Sequence, residues 1–150
     1  MVQSYDGNRE FNMPKLYDKV VQGHEDIAWD FSRYQPQLVV IDLSDNDYAK
    51  PLDRTAFVSA YLKFLARLRN HYPETKIVCV VGPSPANENW RKWKEDVITV
   101  VNQRRATDPK VYFFGISNFE LHGSDWHPNL DEHQKVSAEL VPFLRDLMAW

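Results

Sequence analysis

One hundred and fifty residues, 43% hydrophobic and 26% charged, describe a single domain with enough chain to bury a normal core. The formal net charge of −3 is spread over both signs with no basic block, which argues against electrostatic binding of nucleic acid or of an anionic membrane. No apolar run approaches the roughly 18 residues that cross a bilayer, the opening MVQSYDGNREF is polar and unlike a signal peptide, and the lone Cys79 lies in an apolar strand context that suits a buried thiol.

Residues 1–17 carry Gly, Asn and Pro without periodicity and read as loop. Residues 24–34 (HEDIAWDFSRY) pattern as a short helix with Ile27, Ala28, Phe31 and Tyr34 inward, stopped by Pro36. Leu38–Leu43 is a continuous apolar strand, as expected where both sheet faces are covered. Residues 53–71 form the clearest helix, with Phe57, Tyr61, Phe64, Leu65 and Leu68 at helical spacing behind a capping Asp53. A second strand spans Lys76–Val81 and closes on Gly82-Pro83. A helix over 89–105 places Trp93, Val97, Val100, Val101 and Arg104 on one face, and Val111–Ile116 is a third strand. The last helix, 130–148, brings Val136, Leu140, Leu144 and Leu147 together.

Alternating helices and buried strands predict a layered α/β domain over residues 1–150 with a parallel sheet. Ligands of such sheets sit beyond the carboxyl ends of the strands. The three strands run into Asn46-Asp47, Gly82-Pro83-Ser84 and the Asp125/His127 loop, which should therefore share one rim.

His127 stands just before a helix, with Asp125 two positions upstream and Pro128 stiffening the turn. That suits a general base which activates a hydroxyl and later protonates a leaving group; it also suits a histidine that merely opens a helix. Asn46, at a strand tip, can donate its carboxamide to an oxyanion, or can serve as an ordinary turn residue in SDND. Asp47 buttresses that loop on the substrate side rather than doing chemistry. Trp126, beside the proposed base, is the better ligand contact among Trp90, Trp93 and Trp126, with Trp93 more suited to the core. His122, Asp125, His127 and His133 raise a zinc alternative, but no HExxH pair or paired-cysteine motif accompanies them.

Three stretches carry a resemblance: WDFSRYQPQLVVIDLSDND (29–47), YLKFLARLRNHYPETKIVCVVGP (61–83) and GSDWHPNLDEHQKVSAEL (123–140). Together they resemble the SGNH (GDSL-like) hydrolases, and within them the carbohydrate esterases of family 2, over nearly the whole chain. The resemblance implies a three-layer α/β/α, flavodoxin-like fold and deacetylation of carbohydrates by a Ser nucleophile. His127 would be its base and Asn46 the side-chain oxyanion donor, with Asp125 in a supporting place and no cofactor.

The chain also departs from the family pattern. The family's Gly-Asp-Ser strand and the glycine donor of its second block have no counterpart here, so the fold is expected to be truncated at its N-terminal side. The GTND-like tip reads Ser44-Asp45-Asn46-Asp47, which adds a carboxylate beside the oxyanion donor. Ser124, not an aspartate, stands three residues before His127; family 2 members resemble this pattern and can work as a Ser–His dyad with a backbone carbonyl orienting the imidazole. Ser84 and Ser124 are the rim serines that could substitute for the missing nucleophile. An apolar Leu38–Leu43 strand without its family neighbour would be a raw edge, so the sequence predicts a homodimer joined there. A catalytically inactive sugar-binding or scaffold protein on the same fold is the alternative.

Overall fold

A computed structural model describes the chain except Phe11, Gln22, Glu25, Pro85 and Ala86, and describes Trp126 in its backbone only. After a short helix, α1 (Met13–Leu16), come β1 (Leu38–Asp42), α2 (Arg54–His71), β2 (Lys76–Val81), α3 (Glu88–Arg105), β3 (Val111–Gly115) and α4 (Leu130–Met148). The strands form a parallel sheet in the order β1-β2-β3, with Val40 opposite Val78 and Cys79 opposite Phe113.

The pleat of β2 divides the core into two layers. Ile77, Cys79 and Val81 pack with Phe57, Tyr61, Leu65 and Leu68 of α2 and with Trp93, Val97 and Val100 of α3. Val78 and Val80 face the other way, onto Val136, Leu140, Phe143, Leu144 and Leu147 of α4. The result is the expected α/β/α sandwich. Fully burying one such aliphatic side chain is worth about 1.5–3 kcal/mol, so the central strand holds the layers together. Cys79 is wholly enclosed, and burial pushes its thiol up to about 12, which suits packing and not nucleophilic chemistry. Each long helix opens on a capping side chain: Asp53 accepts from the Thr55 and Ala56 amides, Asn87 from Trp90, and Asn129 from Glu132.

The segment 24–34 is not the predicted helix. Trp29 N donates to Asp18 O at 2.8 Å, Val20 N donates to Ile27 O at 3.1 Å, and Lys19 bridges Ala28 in antiparallel fashion. Among its described residues, which leave out Glu25, only Phe31–Arg33 winds, as one 3-10 turn capped by Asp30. Ile27 and Tyr34, assigned inward, are exposed, while Phe31 stacks on His71 at 3.7 Å. A helix this short carries nearly the whole nucleation cost with few bonds in return, so pairing with residues 18–20 prevails.

β1 is also less covered than its apolar sequence implies. It is an edge of the described sheet, and Val40 is 41% exposed. No helix among the described residues is long and apolar enough to cross a membrane.

Candidate active site

The carboxyl ends of β1, β2 and β3 open on a cleft of about 420 Å³. From β1 come Asp42, Leu43, Ser44, Asp45 and Asn46; from β2, Gly82, Pro83 and Ser84; from the segment after β3, Leu121, Asp125, His127 and Pro128. Four residues singled out from the sequence, Asn46, Ser84, Asp125 and His127, thus line one cavity, as the parallel topology requires.

His127 is exposed, and its Nδ1 lies 3.1 Å from the carbonyl oxygen of Ser124. A carbonyl can only accept, so Nδ1 carries a proton, and in the neutral ring Nε2 is the nitrogen with the free lone pair. The loop is built for this. Gly123 N donates to His127 O at 2.9 Å, His127 N donates to Ser124 O at 3.0 Å, and Asp125 takes a left-handed backbone (φ 51°). A Cβ on Gly123 would come within 2.4 Å of the His127 carbonyl oxygen, so only glycine allows the turn to close. The Asp125 carboxylate lines the cleft but makes no hydrogen bond among the described residues; the Ser124 carbonyl takes the orienting place.

A second tether fixes the same loop and was not legible as a functional feature. Glu132 is almost fully buried and accepts from Asn129 N at 2.8 Å and from His122 N, while His122 Nδ1 lies 2.6 Å from its Oε1. Burial alone would raise this carboxyl, but the Asn129 amide and His122 outweigh it and hold it at about 2. Because the folded-state value lies below the ordinary one, this stabilisation is full above the usual glutamate range of about 4.3 and is lost as pH falls toward about 2. Glu132→Gln should therefore be less stable than the parent at neutral pH. It should lack the loss of stability the parent shows across that acid window, as denaturant melts at stepped pH would show. The sequence signal was there: Asn129-x-x-Glu132 is a capping box. His122 is thereby engaged with Glu132, and no three His, Cys, Asp or Glu side chains among the described residues gather as a metal donor set.

Asn46 sits exposed on the 3-10 turn Asp45–Ala49, and its carboxamide has no partner among the described residues, so both N–H groups are free to donate into the cleft. Ser44 initiates the turn in a left-handed conformation (φ 99°), with its hydroxyl buried and unpartnered. Such strain costs on the order of 1–3 kcal/mol. Ser44→Gly should raise stability by about 1 kcal/mol in denaturant unfolding, net of the entropy glycine adds to the unfolded chain.

Asp42 and Asp45 bring negative charge to the same wall. Desolvation, then Asp45, pushes the Asp42 carboxyl up, while the Gly82 amide pulls it back. Desolvation likewise raises Asp45, opposed by His127 when its ring is protonated. Asp47 does not line the cleft: it is 1% exposed and turned away, toward residues 1–3. The side chain of Trp126 lies outside the described residues.

Tyr5, which had no sequence signal, forms another wall and is shared with a recess of about 200 Å³ lined by Asn46, Tyr48, Asn89, Trp90 and Trp93. Tyr48 and Asn89 pass the recess on to an outer trough of about 700 Å³ that carries Lys50, Arg54 and Lys92. Trp93 is mainly core, at 3% exposure, whereas Trp90 borders the recess and donates to Gly82 O at 3.2 Å.

The chain is similar to the cellulase/esterase CelE of Acetivibrio thermocellus, 36% identical over 129 residues that make up 83% of this chain and 16% of that protein. It is similar to an acetylxylan esterase / glucomannan deacetylase of Cellvibrio japonicus, 28% identical over all of this chain and 42% of the relative. Its fold superposes on a family two carbohydrate esterase from Clostridium thermocellum in complex with cellohexaose, with a TM-score of 0.85 and 32% identity over 99% of this chain and 47% of that one. The chain thus spans less than half the length of each of these relatives. The sequence pattern of the GDSL-like Lipase/Acylhydrolase family matches residues 8–136, and the chain belongs to that family.

Proposed function

We propose that this cleft is the base and oxyanion half of a carbohydrate acetyl esterase site, and that the nucleophilic serine comes from residues outside the 150. The observation that carries the reading is the His127 ring, held by its Nδ1 on the Ser124 carbonyl, in one cavity with the free carboxamide of Asn46. Nε2 takes the serine proton as Oγ bonds to the acetyl carbon, and Asn46 N–H donates to the carbonyl oxygen as it becomes an oxyanion. Collapse breaks the bond to the sugar oxygen, which leaves with the proton from Nε2. Water then repeats the sequence on the acyl group and releases acetate.

The chain's own serines fit the nucleophile poorly. Ser44 has the strained backbone of a nucleophile turn, but its Oγ is closed off from solvent. Ser124 presents its carbonyl to Nδ1, the wrong edge of the ring. Ser84 lines the cleft and has no left-handed backbone.

The test is an aryl acetate assay of a chimera in which this chain follows the stretch of CelE that precedes its match. A folded chimera without turnover sinks the reading. The second reading, sugar binding without chemistry, draws on the relative that holds cellohexaose and on the trough beyond Tyr5 and Trp90. Saturable tryptophan quenching by cello-oligosaccharides, with no deacetylation by the chimera, would favour it.

The same reading bears on assembly. The open β1 edge is where the serine-bearing strand of the family would lie; in its absence two copies pair there. Sedimentation of the isolated chain at micromolar concentration should show a dimer, and the chimera a monomer; a monomeric isolated chain removes the edge pairing.

A further inference from the structure

Asp47 faces away from the cleft, yet its carboxylate and its carbonyl both reach one segment. Its Oδ1 accepts from Val2 N at 2.6 Å and Gln3 N at 3.0 Å, and its carbonyl accepts from Gln3 Nε2 at 2.9 Å. Met1 and Gln3 are both buried there. The next residues form a closed turn of their own. Ser4 N donates to Asn8 O and Gly7 N to Ser4 O, each at 2.8 Å, Asp6 Oδ1 accepts from Ser4 Oγ and Asn8 N, and Gly7 takes φ 87°. Tyr5 rides on this turn, 65% exposed, as a wall of the cleft and the recess.

A turn that is rigid within itself is placed by its attachment, and here the hydrogen-bonded attachment is Asp47, next in sequence to Asn46, through its carboxylate and its carbonyl. From this geometry we infer that Asp47 is a positioning residue that latches the Tyr5 turn to the Asn46 tip, so that a saccharide meets both walls at a fixed spacing. The sugar-facing part of this inference rests on the function proposed above; the latch itself does not. A buried carboxylate accepting several backbone N–H groups holds them more strongly than neutral acceptors can. A carboxamide in its place would turn an N–H toward donors already present.

Amide hydrogen exchange tests the latch without any ligand. In Asp47→Asn the amides of residues 2–8 should exchange about tenfold faster or more than in the parent, while β2 keeps its protection. Gln3→Ala, which leaves the carboxylate in place, should give a smaller change in the same direction and decides the matter if Asp47→Asn fails to fold. Unchanged exchange at residues 2–8 in a folded variant overturns the latch.

Titration with cellohexaose then reads the consequence. Tyr5→Ala and Asp47→Asn should each weaken binding by about 3- to 10-fold, the range of one aromatic contact. The double variant should be no weaker than either alone, because both remove the same wall. Additive losses would mean that Asp47 acts on the fold at large and would overturn the positioning role. A parent chain that binds no oligosaccharide would count against the proposed sugar site, with exchange still deciding the latch.

Discussion

Replacing His127 by alanine should lower kcat for an aryl acetate by about 10²–10⁴-fold in the serine-bearing chimera, the range general acid–base groups typically supply. The argument is geometric. His127 Nδ1 is committed to the Ser124 carbonyl, so the neutral ring takes one tautomer, with Nε2 as the nitrogen left to act as a base. No other imidazole among the described residues lines that cavity: His122 is bound to Glu132, and His133 lies on the outer face of α4 beside Leu130 and Ser137. The check is a kinetic comparison of parent and variant with KM recorded. A loss confined to kcat fits a base that acts in the transition state, while a change confined to KM would make His127 a binding group.

Asn46→Ala should cost about 10²–10³ in kcat, equivalent to about 2.7–4 kcal/mol of lost oxyanion stabilisation. The side chain has no competing partner among the described residues and lines the cleft, so its donors are free to take the proposed role. Asp45 and Asp42 on the same wall oppose developing negative charge. On the proposed mechanism Asn46 offsets that field as well as stabilising the oxyanion, so its removal should fall at the upper end of the range. Asn46→Asp, which replaces a donor by a further carboxylate, should be more damaging than alanine. Equal rates for parent and Asn46→Ala in the chimera would assign the oxyanion to backbone donors alone.

Much of this architecture could be read along the chain because burial wrote it there. β2 is apolar on both faces since α2 and α3 cover one and α4 the other, and its bounds came out as Lys76–Val81 without adjustment. Caps such as Asp53 made the helix starts readable. Residues 24–34 misled because a helical spacing of apolar residues also fits a paired segment whose apolar side chains, Ile27 among them, remain exposed. The convergence of Asn46, Ser84 and His127 followed from parallel topology. The supports of the site did not: beyond the Asn129–Glu132 capping box, Glu132 and Asp47 act across 10 to 45 residues through the backbone amides of His122, Val2 and Gln3, a relation that no local pattern encodes. Tyr5 was hidden for a related reason: a polar N-terminal loop shows no periodicity, and only its attachment to Asp47 brings it to the cleft.

The central claim is that these residues hold the base and the oxyanion donor of an esterase and lack its nucleophile. The most direct measurement is aryl acetate hydrolysis by the isolated chain and by the folded chimera, each beside its His127→Ala variant. The account predicts background rates for the isolated chain with or without His127, and turnover in the chimera that disappears when His127 is replaced. Turnover by the isolated chain that is lost on replacing Ser84 or Ser124, or chimera turnover indifferent to His127, would contradict it.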